Sequence, residues 1–168
     1  MATFLFLQLI CCVTAFPQGN GQLVKTEYDA NKNVTQITLN PIILASRKFE
    51  ELRLGAVTGY PGKVKSTPQE IALIFFSLSN NDQNRYESAR KLTIVADDQR
   101  FDCGETQRSK QSQNGLFLET MTISIPVKDF VNVANAKQVK IKLGLTEVEL
   151  SPVQSKALKV MASYIVDN

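Results

Sequence analysis

The chain has 168 residues, 43% apolar, 21% charged and 8% aromatic, with three Cys, no His, no Trp and a formal charge of +3. That length supports one domain with a sizeable core, and the composition is not that of a disordered, collagenous or disulfide-stapled chain. Without His, the Ser-His-Asp and Cys-His arrangements are excluded, as is any metal site that needs imidazole, and so small a charge does not by itself point to nucleic acid.

Residues 1–15, MATFLFLQLICCVTA, carry no charged side chain and are mostly apolar. The run is shorter than the roughly 20 residues of a membrane-spanning helix. It reads as a secretory signal peptide, with Val13 and Ala15 as the small residues before a cut after Ala15. Its start has no Lys or Arg, only the terminal amine. A lipid anchor at Cys11 or Cys12 is the rival reading, although Ile10 or Cys11 then stands where a small residue is wanted. Cleavage leaves Cys103 as the single thiol, so no internal disulfide is expected. Residues 16–21 read as a flexible mature N-terminus and residues 22–168 as one domain, with no membrane span in the mature chain.

From residue 22 to about 150 the apolar period is mostly two. Val24–Asp29 and Val34–Leu44 flank a polar loop and predict a hairpin, with a bend or edge at Pro41. Asn33-Val34-Thr35 matches the N-glycosylation triplet, which has no meaning in a bacterium. Leu52, Leu54 and Ala56 alternate with Arg53, Gly55 and Val57, as in a half-exposed strand. Gly59–Lys63 is a turn, and Lys63 and Lys65 beside Tyr60 suggest a small anion-contacting loop. Ile71–Leu78 is apolar at every position but Ser77, which predicts a central strand covered on both faces. Further strands are predicted at 92–97, 101–103, 116–125, 139–143 and 148–150. In the long one, Phe117, Glu119, Met121, Ile123 and Ile125 share a face, and its carboxylate predicts that one end reaches solvent.

Residues 128–134 predict a short helix with Phe130, Val131 and Ala134 inward. Ser151-Pro152-Val153-Gln154 is a capping box with Pro at the first helical position. Val153, Ala157, Val160, Met161 and Tyr164 then recur at helical spacing, with Leu158 and Ile165 beside them. So short a helix is marginal alone and must pack on a sheet. The expected fold is mainly β: an antiparallel β-sandwich of about eight or nine strands, a helix near 128–134 and a C-terminal helix at 152–166.

Val24–Asp29, Leu92–Asp98, Ile125–Phe130 leading into Val133–Ala136, and Val139–Gly144 with Glu147–Ser151 follow one another in a familiar order. The pattern resembles a group of small exported bacterial proteins of no established activity, and covers nearly the whole mature chain. The resemblance implies an exported bacterial protein and supplies no catalytic residue. Asp97-Asp98-Gln99 stands where an Asp-Gly turn would be expected.

Asp97, Asp98, Asp102 and Glu105 are oxygen ligands of the kind hard cations take. Their spacing is not that of an EF-hand, and a solvated turn accounts for them. Asn80–Asn84 lacks the turn Gly and closing Glu of a calcium loop and reads as a hairpin loop. Cys103 has acidic neighbours, which raise a thiol's pKa, and no His to act as base. Ser109-Lys110 and Ser155-Lys156 are adjacent pairs whose side chains do not converge on a strand or helix. Lys140 and Lys142 share one strand face, with Lys137 nearby. Such lysines commonly serve solubility, and these three are also the candidate contact for an acidic partner in the envelope or outside the cell. The expectation is therefore an exported, non-enzymatic binding module with no cofactor. The alternative is a hydrolase using a Ser–Lys dyad or a carboxylate pair.

Overall fold

The computed structural model describes residues 22–82 and 84–166. The signal-peptide reading of residues 1–15 and the flexible stretch 16–21 lie outside the described residues. β1 (Val24–Asp29) and β2 (Val34–Arg47) form the first hairpin, with Val24 opposite Leu39 and Asp29 opposite Val34. β2 runs on past Pro41, but its register with β3 (Glu50–Pro61) slips between Leu39 and Ile42 and again between Ile43 and Ala45. The bend predicted at Pro41 is the first of these irregularities, because proline cannot donate to a ladder. β4 (Glu70–Ser79) and β5 (Lys91–Ala96) are joined by an irregular stretch, and β6 (Gln99–Glu105) pairs back on β5.

β7 (Gln107–Gln113) follows β6 after Thr106 alone, and there the chain passes from one sheet to the other. Thr106 is buried; its N–H and hydroxyl both donate to the Arg90 carbonyl, while Arg90 Nε donates to the Thr106 carbonyl at 3.1 Å. β8 (Leu116–Pro126), α1 (Val127–Asn135), the hairpin β9 (Val139–Leu143) and β10 (Thr146–Glu149), and α2 (Pro152–Ile165) complete the described chain.

Two antiparallel sheets result, one of six strands in the order β1-β2-β3-β4-β8-β7 and one of four in the order β10-β9-β5-β6. This is the mainly β, sandwich-like architecture expected, with the two predicted helices in place. α2 packs on β2 and on α1, and α1 touches β4, β5 and β8. Leu39, Leu54, Ile71, Phe75, Ile94 and Met121 are among the side chains buried between the layers. The Ser151 capping box is formed: the Gln154 amide donates to Ser151 Oγ, and the Ser151 amide donates to Gln154 Oε1 at 2.7 Å.

Four local expectations are corrected. β7 is an additional strand, because QRSKQSQ holds no apolar residue to give a period. Val153 is 79% exposed, and the buried stripe of α2 is instead Ala157, Leu158, Met161, Ala162 and Ile165. In α1, Val133 rather than Val131 is buried with Phe130 and Ala134. Glu119 is buried rather than at a solvent-facing strand end, because Arg108 on β7 pairs with it at 2.8 Å.

Candidate functional site

The predicted lysine contact lies on the outer face of the four-stranded sheet. Lys140 and Lys142 are exposed on β9, and the register sets Glu149 opposite Lys140 and Glu147 opposite Lys142. Lys140 Nζ lies 3.5 Å from Glu147 Oε1. On the other side of β9, Thr93 faces Lys142 and Val95 faces Lys140, and beyond them stand Asp102 and Arg100 on β6. The face is therefore a mixture of both signs. Lys137 lies off it, in the link from α1 to β9, with its backbone N–H donating to the Asp97 carboxylate at 3.0 Å.

The acidic residues of 97–105 do not converge. Asp97 closes the β5–β6 turn in the left-handed region (φ 51°) and accepts the Lys137 and Gln138 amides. Those two bonds, Gln138 first, hold its carboxyl below the usual carboxylate range. Asp102 is lowered too, first by the hydrogen bond from Arg100. Glu105 pairs with Arg90 at 3.5 Å. Among the described residues no group of three or more Cys, Asp or Glu is placed to hold a metal ion. Cys103 is partly buried, and its thiol is pushed up to about 11. Burial is the main cause, followed by the carboxylates of Asp129 and Asp102. The sequence neighbour Glu105 is not among the causes, whereas Asp129, distant in sequence, is.

Neither Ser–Lys pair converges. Ser109 and Lys110 stand on opposite faces of β7, as successive strand residues must. Lys110 points inward and bonds Asp82 and Asn84. Ser155 and Lys156 sit on successive positions of α2, and Lys156 is exposed. Two carboxylates are buried near each other in the fold, Glu50 on β3 and Glu119 on β8, with Ser77 of β4 on the strand between. Both are occupied. Glu50 Oε1 accepts the Ser77 hydroxyl at 2.8 Å and the Tyr86 hydroxyl at 3.0 Å, and its Oε2 lies 3.1 Å from Arg85 and 3.3 Å from Arg47. The Tyr86 hydroxyl also meets Thr146 Oγ1 of β10 at 3.1 Å. Tyr86 is fully buried, and burial above all pushes its phenol up. This knot joins β3 and β4 of one sheet to β10 of the other through the 80–90 stretch. A carboxylate enclosed by four partners has no open side for a substrate.

The outer face of the six-stranded sheet carries a partly exposed apolar stripe. β4 turns Ile71, Leu73 and Phe75 into the core and Ala72, Ile74, Phe76 and Leu78 outward. The outward set is only partly buried, so the expectation of cover on both faces is met on one face alone among the described residues. The registers continue the stripe across the sheet. Leu78 neighbours Leu118, Ala72 neighbours Val57, and Phe76 lies in a row with Arg53 and the 47%-exposed Ile43. Phe76 also covers Gly55, where a Cβ would lie 3.4 Å from its ring. Towards β7 the rows end in uncharged Thr120, Thr122, Ser109 and Gln111. Of the charges on this face, Glu51 pairs with Arg53 and Lys25 with Glu27, and Glu70 stands exposed at the start of β4.

No helix of the described residues is long and apolar enough to cross a membrane. Comparison with protein-family models, curated proteins and solved structures finds no match to this chain, so the resemblance to small exported bacterial proteins rests on its motifs alone.

Proposed function

We propose that the mature chain is an exported, non-enzymatic binding module, and that the outer face of its six-stranded sheet meets a protein partner in the envelope or outside the cell. One observation carries this reading: the central strand β4 is apolar on both faces, yet its outward residues are left partly exposed. Apolar area left in water costs about 25 cal/mol per Å² relative to covering it, and a contiguous patch of this kind marks an interaction surface. Its chemistry selects the partner. A nucleic acid or an anionic membrane needs unpaired cations, whereas the cations of this face, Arg53 and Lys25, are paired with Glu51 and Glu27, and Glu70 adds a negative charge among aliphatic, Thr, Ser and Gln side chains. A flat, uncharged protein surface is its complement.

Crosslinking in the native cells, followed by mass spectrometry, tests the reading. The wild type should yield one stoichiometric partner. Ile74→Lys with Leu78→Lys should lose it, while Lys140→Glu with Lys142→Glu should keep it. Loss with the second pair alone would move the contact to the four-stranded sheet. A chain recovered alone would remove the partner and bring cryptic hydrolysis forward.

A further inference from the structure

We infer that the cleft between β6 and the β8–α1 junction is a binding site for a small organic amine, with its apolar body on the cleft floor and its cation at Asp129. The site is separate from the outer sheet face and stands or falls independently of it. The cleft measures about 390 Å³, within the roughly 300–1,000 Å³ usual for small-molecule sites. Its lining is mixed: Ile94, Phe101, Ile125 and Val133 are apolar, and Gln99, Arg100, Ser124 and Asp129 are polar. β6 is an edge strand with β5 as its only strand neighbour, so no described strand pairs with its outer edge. β6 and β8 nevertheless touch. The gap cannot admit a further strand, which needs about 4.8 Å on each side, and so suits a small molecule rather than an extended peptide.

Charge selects the class. Asp102 at the rim is already bound by Arg100 at 3.1 Å and by Thr93 at 3.2 Å. Asp129, in the first turn of α1, is half-buried and makes no hydrogen bond or ion pair with any described residue. Its field reaches Cys103 across the cleft and, after burial, is the next cause of that thiol's raised pKa. The thiol is therefore neutral near pH 7, and Asp129 is the carboxylate of the cleft lining that has no side-chain partner among the described residues. A carboxylate without a side-chain partner can accept a charge-assisted bond from an ammonium group. Arg100 also lines the cleft but is paired with Asp102, so an anion gains no unpaired cation there, and a neutral ligand would leave Asp129 without a partner.

The experiment titrates the purified protein with phenethylamine, phenethyl alcohol and phenylacetate, following backbone amide resonances. The amine should shift Phe101, Cys103 and Asp129 at millimolar concentration and bind about tenfold more tightly than the alcohol, a difference of about 1.4 kcal/mol. Phenylacetate should not bind. Phenethylamine should also slow alkylation of Cys103 by iodoacetamide. Asp129→Asn should reduce the amine to the level of the alcohol. Should that variant fail to fold, Gln99→Lys decides instead, since it places a competing cation at the exposed mouth of the cleft and should weaken the amine severalfold. Equal binding of the three probes, no shift up to their solubility, or undiminished amine affinity in the variant that folds would overturn the inference.

Discussion

Glu50 is the centre of a buried polar knot that reaches both sheets. Its carboxylate lies under Ser77, Tyr86, Arg47 and Arg85, and through Tyr86 it reaches Thr146 in the other sheet. Nothing local announces this, because Glu50 opens a strand next to an ordinary Phe49-Glu50-Glu51 sequence and its partners lie up to 36 residues away. Removing one member of such a set leaves the others buried without a partner. Glu50→Ala should therefore cost about 3–5 kcal/mol in denaturant unfolding, and an unchanged midpoint would show that the knot is not structural. Asp97 behaves differently. Its folded pKa is depressed by the Gln138 and Lys137 amides, so its contribution to stability is present above the unfolded value of 3.8 and is lost as pH falls through the folded value. The acid limb of a stability–pH profile should flatten there in Asp97→Asn, and an identical limb would contradict this role.

At the scale of elements, what was legible in the sequence was what local chemistry determines. The Ser151 box and its proline start α2 at the expected place, and Gly144 (φ 58°) makes the β9–β10 turn. That glycine does more than turn the chain. A Cβ there would lie 1.9 Å from the Ala89 carbonyl oxygen, because the 80–90 stretch packs directly over it. Gly144→Ala should thus cost roughly 2–4 kcal/mol, combining strain with displacement of the backbone above it; a loss of only a few tenths in a thermal melt would refute the contact. β7 escaped the sequence reading because its inward residues are Arg108 and Lys110, which hold Glu119, Asn84 and Asp82 instead of filling a core. The turn was the available signal: Asn114-Gly115, with φ of 52° and 78°, is the type of pair that closes a two-residue hairpin. The stripe on α2 was misplaced for a related reason. Helical spacing gives the period, but whether Val153 or Ala162 faces inward depends on how α2 leans on β2 and α1.

Across the whole molecule, the two sheets are joined by the passage of β6 into β7 at Thr106, by the knot at Glu50, and by α1 and α2 in the core. All three lie away from the outer face of the six-stranded sheet, whose β4 residues stay partly exposed, and the composition of β4 was the readable clue to it. The sequence calls for cover on both sides of Ile71–Leu78, and the described residues provide it on one. The lysine face was read from β9 alone, whereas its sign depends on Glu147 and Glu149 in the neighbouring strand. On the proposed function, a protein partner covers the outward face of β4. Hydroxyl-radical footprinting of the protein in its native cells and after purification measures that cover directly. Phe76, Ile74 and Leu78 should be oxidised much more slowly in the cell than in isolation, while exposed Leu145 and Val153 react alike in both. Equal oxidation of the β4 residues in the two settings would contradict it.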